Sequence, residues 1–138
     1  MIETAEEFCR LRESLNPEEY NRAAHEEAPL QIWGEIIRAR PDMRQWVAQN
    51  KTVPIKILEI LAEEADSKTR LMVAGKRRIT EEIALKLATD VDEGVRARLA
   101  RNPNLPNSAI KLLRQDPSPL VRDALSPRIA QENGEQPS

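Results

Sequence analysis

Side chains able to carry out chemistry are scarce in this chain. Its 138 residues include one cysteine, Cys9, and one histidine, His25. A side-chain nucleophile needs a base within hydrogen-bond reach, and a transition metal needs several sulfur or imidazole ligands. One copy of each residue excludes an internal disulfide, a multi-cysteine zinc or iron–sulfur site and a histidine-rich centre. Cys9, beside Phe8 and Leu11 in a helical pattern, reads as a small apolar packing residue. His25 has no nucleophile near it in sequence and reads as a surface residue at a polar helix end. The pairs Glu6-Glu7, Glu18-Glu19 and Glu26-Glu27 have the composition of an acid–base dyad. They stand at helix starts and on polar faces, where they serve the helix dipole and solubility. Lys76-Arg77-Arg78 is the densest basic run, either a solvated loop or a phosphate contact. Four glycines and four aromatic residues are too few for a phosphate cradle or a base-stacking platform. No catalytic constellation, metal, cofactor or small-molecule substrate is expected, so the chain reads as a binding protein and not an enzyme.

Charge is distributed unevenly. Residues 1–36 carry nine acids and three bases, and the remainder carries fourteen acids and eighteen bases, giving the overall −2. An acidic N-terminal third suits a basic partner, and the basic remainder suits phosphate or an acidic protein. No apolar run approaches the ~20 residues of a membrane span, and residues 1–7 lack a basic-then-apolar leader. The expectation is a cytoplasmic protein without membrane association.

The elements that must position these side chains repeat. Arg44, Arg70, Arg96 and Arg122 are 26 residues apart, each inside a similar octet such as Met43–Asn50 and Val95–Asn102. A period in the twenties marks a repeat architecture, whose units bury their apolar faces by stacking. Each unit holds two short helical segments. One carries an apolar stripe at Ile57/Leu58/Leu61, Ile83/Ala84/Leu87 and Ala109/Ile110/Leu113. The other buries Met43/Val47, Thr69/Val73, Val95/Leu99 and Val121/Leu125. Pro54 and Pro106 suit a first helical turn, where the missing N–H costs nothing. Asn50 and Asn102 follow the arginine-bearing helices, where a residue tolerant of left-handed backbone is expected to stop them.

A degenerate copy, Ala28–Ile36, precedes these units. Before it, Thr4-Ala5-Glu6-Glu7 reads as a capping box opening a helix with Phe8, Leu11 and Leu15 on one side. Asn16-Pro17-Glu18-Glu19 reads as a second helix start. The expected architecture is one all-α domain, a right-handed α–α superhelix. Residues 1–27 form an N-terminal cap, residues 28–128 the repeats of ~26 residues, and residues 129–138 a disordered tail.

The stretch Asp90–Gln115, with Val95-Arg96-Ala97-Arg98-Leu99-Ala100-Arg101-Asn102-Pro103-Asn104-Leu105-Pro106, resembles the leucine-rich-repeat variant, a short helical repeat related in form to HEAT and armadillo repeats. The resemblance covers residues 28–128 and implies a solenoid. The family's best-known form has a cysteine-rich iron–sulfur module absent here, so no redox role is implied. HEAT-like repeats also place an acid six residues before the helical arginine, the two forming a ladder between repeats. Glu64/Arg70, Asp90/Arg96 and Asp116/Arg122 keep that spacing. Arg44 departs from it, with Arg38 in the acid position, and so reads as the arginine lacking its acid.

Comparison among the repeats separates scaffold from candidate surface. Trp33 aligns with Leu58, Ala84 and Ile110 and reads as core. Trp46 aligns with Met72, Arg98 and Ala124, a position indifferent to polarity. It reads as a binding anchor or as a cover for the seam between cap and first repeat. By analogy with HEAT repeats the arginine-bearing helices line the concave face, making Gln45, Trp46, Gln49, Met72, Lys76, Arg98 and Arg101 its variable lining. Arg44 and the acidic cap residues Glu18, Glu19, Glu26 and Glu27 complete the expected partner-binding set. The runs Thr4–Arg12 and Pro17–Tyr20 ahead of such repeats are similar to immunity proteins of bacterial toxin–immunity pairs, including contact-dependent inhibition and polymorphic toxin systems. That resemblance implies a protein that binds and neutralises a cognate toxin, a nuclease if the acidic cap meets a basic partner. The alternative is a nucleic-acid-binding HEAT-like repeat, supported by the basic residues 37–138 and opposed by the missing aromatics.

Overall fold

The computed structural model describes residues 1–132, with side chains as far as Pro127. Among the described residues the chain is all α, ten α-helices and one 3₁₀ turn without a strand. The chain divides into two compact units, Met1–Val73 and Ala74–Ser138.

The N-terminal unit contains α1 (Ala5–Glu13), α2 (Pro17–His25), α3 (Leu30–Ala39), a 3₁₀ turn (Pro41–Met43), α4 (Arg44–Gln49) and α5 (Ile55–Leu61). A sixth helix, α6 (Ser67–Ala74), runs up to the boundary. The Thr4 hydroxyl accepts the Glu7 N–H at 3.0 Å, and the Glu7 carboxylate accepts the N–H of Glu3 at 2.8 Å. This is the expected reciprocal cap, closed one residue upstream of Thr4. Leu15 departs from expectation: α1 ends at Glu13, and Leu15 is 96% exposed in the turn instead of joining Phe8 and Leu11. The cause is Asn16-Pro17, which starts α2 and holds the preceding backbone extended. Helix α1 packs on α2 and α3, α2 on α4, and α3 on α4 and α5. Their shared core includes Phe8, Leu11, Trp33, Ile36, Val47, Leu58 and Leu61, all fully buried. Phe8 and Trp33 meet edge to face at 5.4 Å and 80°, so Trp33 is a core residue, as its apolar counterparts imply.

The C-terminal unit contains α7 (Glu81–Ala88), α8 (Glu93–Ala100), α9 (Asn107–Arg114) and α10 (Pro119–Glu132). Thr80 caps α7, and Asp92 caps α8 by accepting from Gly94 and Val95. Helix α7 packs on α8 and α9, and α10 packs on α8 and α9. The expected stripes are the buried ones: Ile83, Ala84, Leu87, Ala109, Ile110 and Leu113 from one helix type, Val95, Leu99, Val121 and Leu125 from the other. Pro54 and Pro106 stand one position earlier than expected, as extended N-caps of α5 and α9. Their carbonyls accept the first helical N–H groups. Helix α10 continues through Pro127 to Glu132, past the Ile129 boundary expected for the tail. Residues 133–138 of that tail lie outside the described residues.

Asn50 and Asn102 both follow their helices, but Asn50 does not do so by a left-handed backbone. Asn50 has φ −57° and ψ 130°. Both residues are fully buried, and their amides work as staples. Asn50 Nδ2 donates to the carbonyls of Ala23 and Glu26 at 2.8 and 3.0 Å, and its Oδ1 accepts the Thr52 N–H at 2.8 Å. Asn102 Nδ2 donates to Ala74 and Lys76 at 2.9 and 2.8 Å, and its Oδ1 accepts the Asn104 N–H at 2.9 Å. A side-chain amide is the smallest group that can donate twice and accept at one point. Each asparagine thereby satisfies carbonyls of a segment more than twenty residues upstream.

Candidate binding surfaces

Within each unit one of the repeated arginines forms an ion-pair rung, in a register the sequence spacing does not show. Arg44 Nη1 meets both Glu64 carboxylate oxygens at 2.9 and 3.0 Å, and its Nε donates to the Ile37 carbonyl at 2.6 Å. Arg96 Nε meets Asp116 at 2.8 Å, and its Nη1 donates to the Asp90 carbonyl at 2.7 Å. Arg70 likewise donates to the Glu64 and Ala65 carbonyls at 2.7 and 2.9 Å, and Arg122 donates to the Asp116 carbonyl. The residue six positions before each of Arg70, Arg96 and Arg122 thus supplies a carbonyl. In the two rungs described, the carboxylate belongs to the residue twenty positions after the arginine. Those carbonyls lie in the turn just after the preceding helix, outside its hydrogen-bond ladder, so the arginine of the next helix satisfies them. Arg44 therefore does not lack its acid. Glu64 is that acid, and Arg44 is a ladder residue with 27% side-chain exposure.

Trp46 is half-buried, and the Arg12 guanidinium lies over its ring with Cζ 3.6 Å from the centroid. The repeat comparison missed Arg12, because it belongs to the cap and has no counterpart at the 26-residue spacing. Arg12 Nε is buried without a hydrogen-bond partner among the described residues. Attraction between the cation and the ring π-face holds it there. Gln45 and Gln49 share α4 with Trp46, Gln45 half-buried and Gln49 exposed. Met72 is half-buried on α6.

The acidic cap residues divide into paired and open groups. Glu19 receives Arg10 at 2.7 Å and the Ser14 hydroxyl at 2.8 Å, and the Arg10 hydrogen bond holds its carboxyl below the usual range. Glu26 is depressed in the same direction by Arg22 and also meets the Met1 amino group at 3.3 Å. Glu18 and Glu27 are exposed. An open groove of about 510 Å³ borders this region, lined in part by Glu6, Cys9, Arg10, Glu13, Glu19 and Arg40. Two of its acids are paired, Glu19 with Arg10 and Glu13 with Arg40. Cys9 is 5% exposed, and burial pushes its thiol pKa up, away from the reactive thiolate. His25 is exposed and bonds the Asn21 carbonyl of its own helix at 2.9 Å.

In the C-terminal unit, Arg98 is half-buried and Arg101 exposed at the end of α8. The Arg98 guanidinium packs directly on Gly75, in the loop that carries Lys76-Arg77-Arg78. The structure therefore sets Arg98 against the loop of the basic run, a juxtaposition the sequence showed only as separate segments. No group of three or more metal-ligating side chains occurs among the described residues. No helix there is long and apolar enough to cross a membrane.

Comparison with known proteins finds no matching family model, no similar curated protein and no similar solved structure.

Proposed function

We propose that the chain is a non-enzymatic HEAT-like solenoid, its 26-residue units stacked through the arginine ladder and asparagine staples, that works by gripping another protein. Within that class the reading is an immunity protein that neutralises a cognate bacterial toxin, of nuclease type, in the cytoplasm. The observation that carries the protein-binding reading is the Arg12–Trp46 stack. Tryptophan and arginine dominate binding hot spots, and a half-buried indole pinned by a guanidinium loses little side-chain freedom on contact. The exposed acids Glu18 and Glu27 supply the steering field that a basic partner would follow. The toxin assignment rests on the resemblance of the cap sequence to immunity proteins.

The test is affinity capture from the native host with the tagged chain, followed by titration of the captured protein against wild type and Trp46→Ala. A single captured protein, weakened about tenfold or more by Trp46→Ala, is the expected result. Unchanged affinity of Trp46→Ala removes the anchor. Capture of nothing, with tight and steeply salt-dependent binding to duplex DNA, replaces the reading with the nucleic-acid alternative.

A further inference from the structure

We infer that Arg98, seated on Gly75, together with Arg77 of the same loop and Arg101 three positions further along, forms a docking site for carboxylates of an acidic segment of the protein partner; this rests on the protein-binding reading above. The site is built, not merely basic. A Cβ at Gly75 would lie 2.5 Å from Arg98 Nη2 and 2.8 Å from its Cζ, so the guanidinium occupies the space a side chain would take. The backbone of Gly75 is not left-handed, so its missing side chain serves this contact and not a turn. The loop beneath is tied down by two amides. Asn102 holds the Lys76 carbonyl at 2.8 Å, and Asn104 holds the Arg77 carbonyl at 2.9 Å. Arg101 follows Arg98 by three positions and shares its side of the helix end.

These three arginines differ from five others that carry ion pairs. Arg10, Arg22, Arg40, Arg44 and Arg96 all meet carboxylates. The side chains of Arg77, Arg98 and Arg101 have no hydrogen-bond or ion-pair partner among the described residues. An anion held in the planar donor fork of Arg98 draws on the positive charge of Arg77 in the loop and Arg101 at the helix end as well. Carboxylate suits the surroundings better than a phosphate backbone. Glu81 and Glu82 are exposed just after the loop and oppose a duplex, with one phosphate per ~1.7 Å of its axis, more than a flexible peptide with one carboxylate per ~3.3 Å. All four aromatic residues lie at or before Trp46, so this unit offers no ring on which a base could stack.

The test uses fluorescence anisotropy at low salt, with a labelled oligoglutamate peptide and a labelled DNA duplex as probes of the full chain. Wild type is expected to bind oligoglutamate, and Arg98→Ala and Arg77→Ala to weaken it about tenfold each. Lys111→Ala, an equal loss of charge on α9 of the same unit, is expected to leave binding within about twofold. Gly75→Ala keeps every charge but displaces the Arg98 guanidinium, and Arg98→Lys keeps the charge but loses the fork. Each should weaken binding several-fold, with circular dichroism melting confirming that both variants fold. Gly75→Ala and Arg98→Lys binding like wild type would overturn the site, as would Lys111→Ala weakening binding as much as Arg98→Ala. Tighter binding of the duplex, sensitive to the same variants, would overturn the carboxylate assignment. Because oligoglutamate needs no natural partner, the two proposals fail separately. A captured partner indifferent to Gly75→Ala overturns this site alone, whereas oligoglutamate binding without any captured partner overturns the protein-binding reading.

Discussion

Replacing Asn102 tests the staple that organises the C-terminal unit. Its side chain is fully buried and makes at least three hydrogen bonds, two donated to carbonyls at 2.9 and 2.8 Å and one accepted at 2.9 Å. Asn102→Ala deletes these and strands the Ala74 carbonyl in the interior. At about 1 kcal/mol per bond, with a further ~1–3 kcal/mol for a buried group that water cannot reach, a loss near 3 kcal/mol is expected. Asn102→Asp separates donation from shape. It keeps the acceptor to Asn104 but sets an oxygen against two carbonyl oxygens, so near neutral pH it should be less stable than Asn102→Ala by roughly 1 kcal/mol or more. Burial and the facing carbonyls raise the folded-state pKa of that new carboxyl. Its stability contribution is therefore present below the unfolded pKa of about 3.9 and lost as pH rises towards the folded value, so the variant should recover in acid. The measurement is urea unfolding followed by far-ultraviolet circular dichroism across pH. For the parallel Asn50 variants, tryptophan fluorescence adds a local readout, since Trp33 and Trp46 both lie in the N-terminal unit. Asn50→Gly is a further discriminator, because a left-handed stop would gain from glycine and a staple must lose. An Asn102→Ala cost below about 0.5 kcal/mol, or an Asn102→Asp variant no worse than Asn102→Ala at neutral pH, would refute the assignment.

The ladder rungs should differ in worth according to burial. Arg96→Met leaves Asp116, whose side chain is 4% exposed, without its counter-charge and should cost about 3 kcal/mol in urea unfolding. Arg44→Met, in a rung exposed by 27% and 19%, should cost about 1 kcal/mol, and equal losses would contradict a burial-based account. Phe8→Ala removes the edge-to-face partner of Trp33 and should cost about 3–5 kcal/mol with a shift in tryptophan emission; a loss under ~1 kcal/mol would place Phe8 outside the core. Arg10, Arg22 and Arg40 hold Glu19, Glu26 and Asp42 below the ordinary carboxylate range. Their contribution is present above pH ~4.3 and lost as pH falls through the depressed folded values, so thermal stability should drop in acid and the Arg10→Gln, Arg22→Gln, Arg40→Gln triple variant should drop less. Equal acid sensitivity in both proteins would remove these pairs as its source.

Much of the helical layout was legible because it is local. Thr4 and Asn16 cap the N–H groups two or three residues ahead, and the stripes at Ile83, Ala84 and Leu87 follow from 3.6 residues per turn. Leu15 escaped that logic, since periodicity carried the apolar pattern past the point where Asn16-Pro17 ended the helix.

Which side chain meets which across the fold was decided only in three dimensions. Acid six before arginine was visible in the sequence, yet the carboxylate turns to the arginine twenty positions earlier and leaves its own arginine the backbone carbonyl. Arg12 settles on Trp46, Arg98 settles on Gly75, and two asparagines that read as helix stops become staples. Sequence spacing encodes positions on one helix, where the geometry is fixed by the backbone. Contacts between helices depend on how far each side chain reaches once the packing angles are set, and those angles come from the whole buried core.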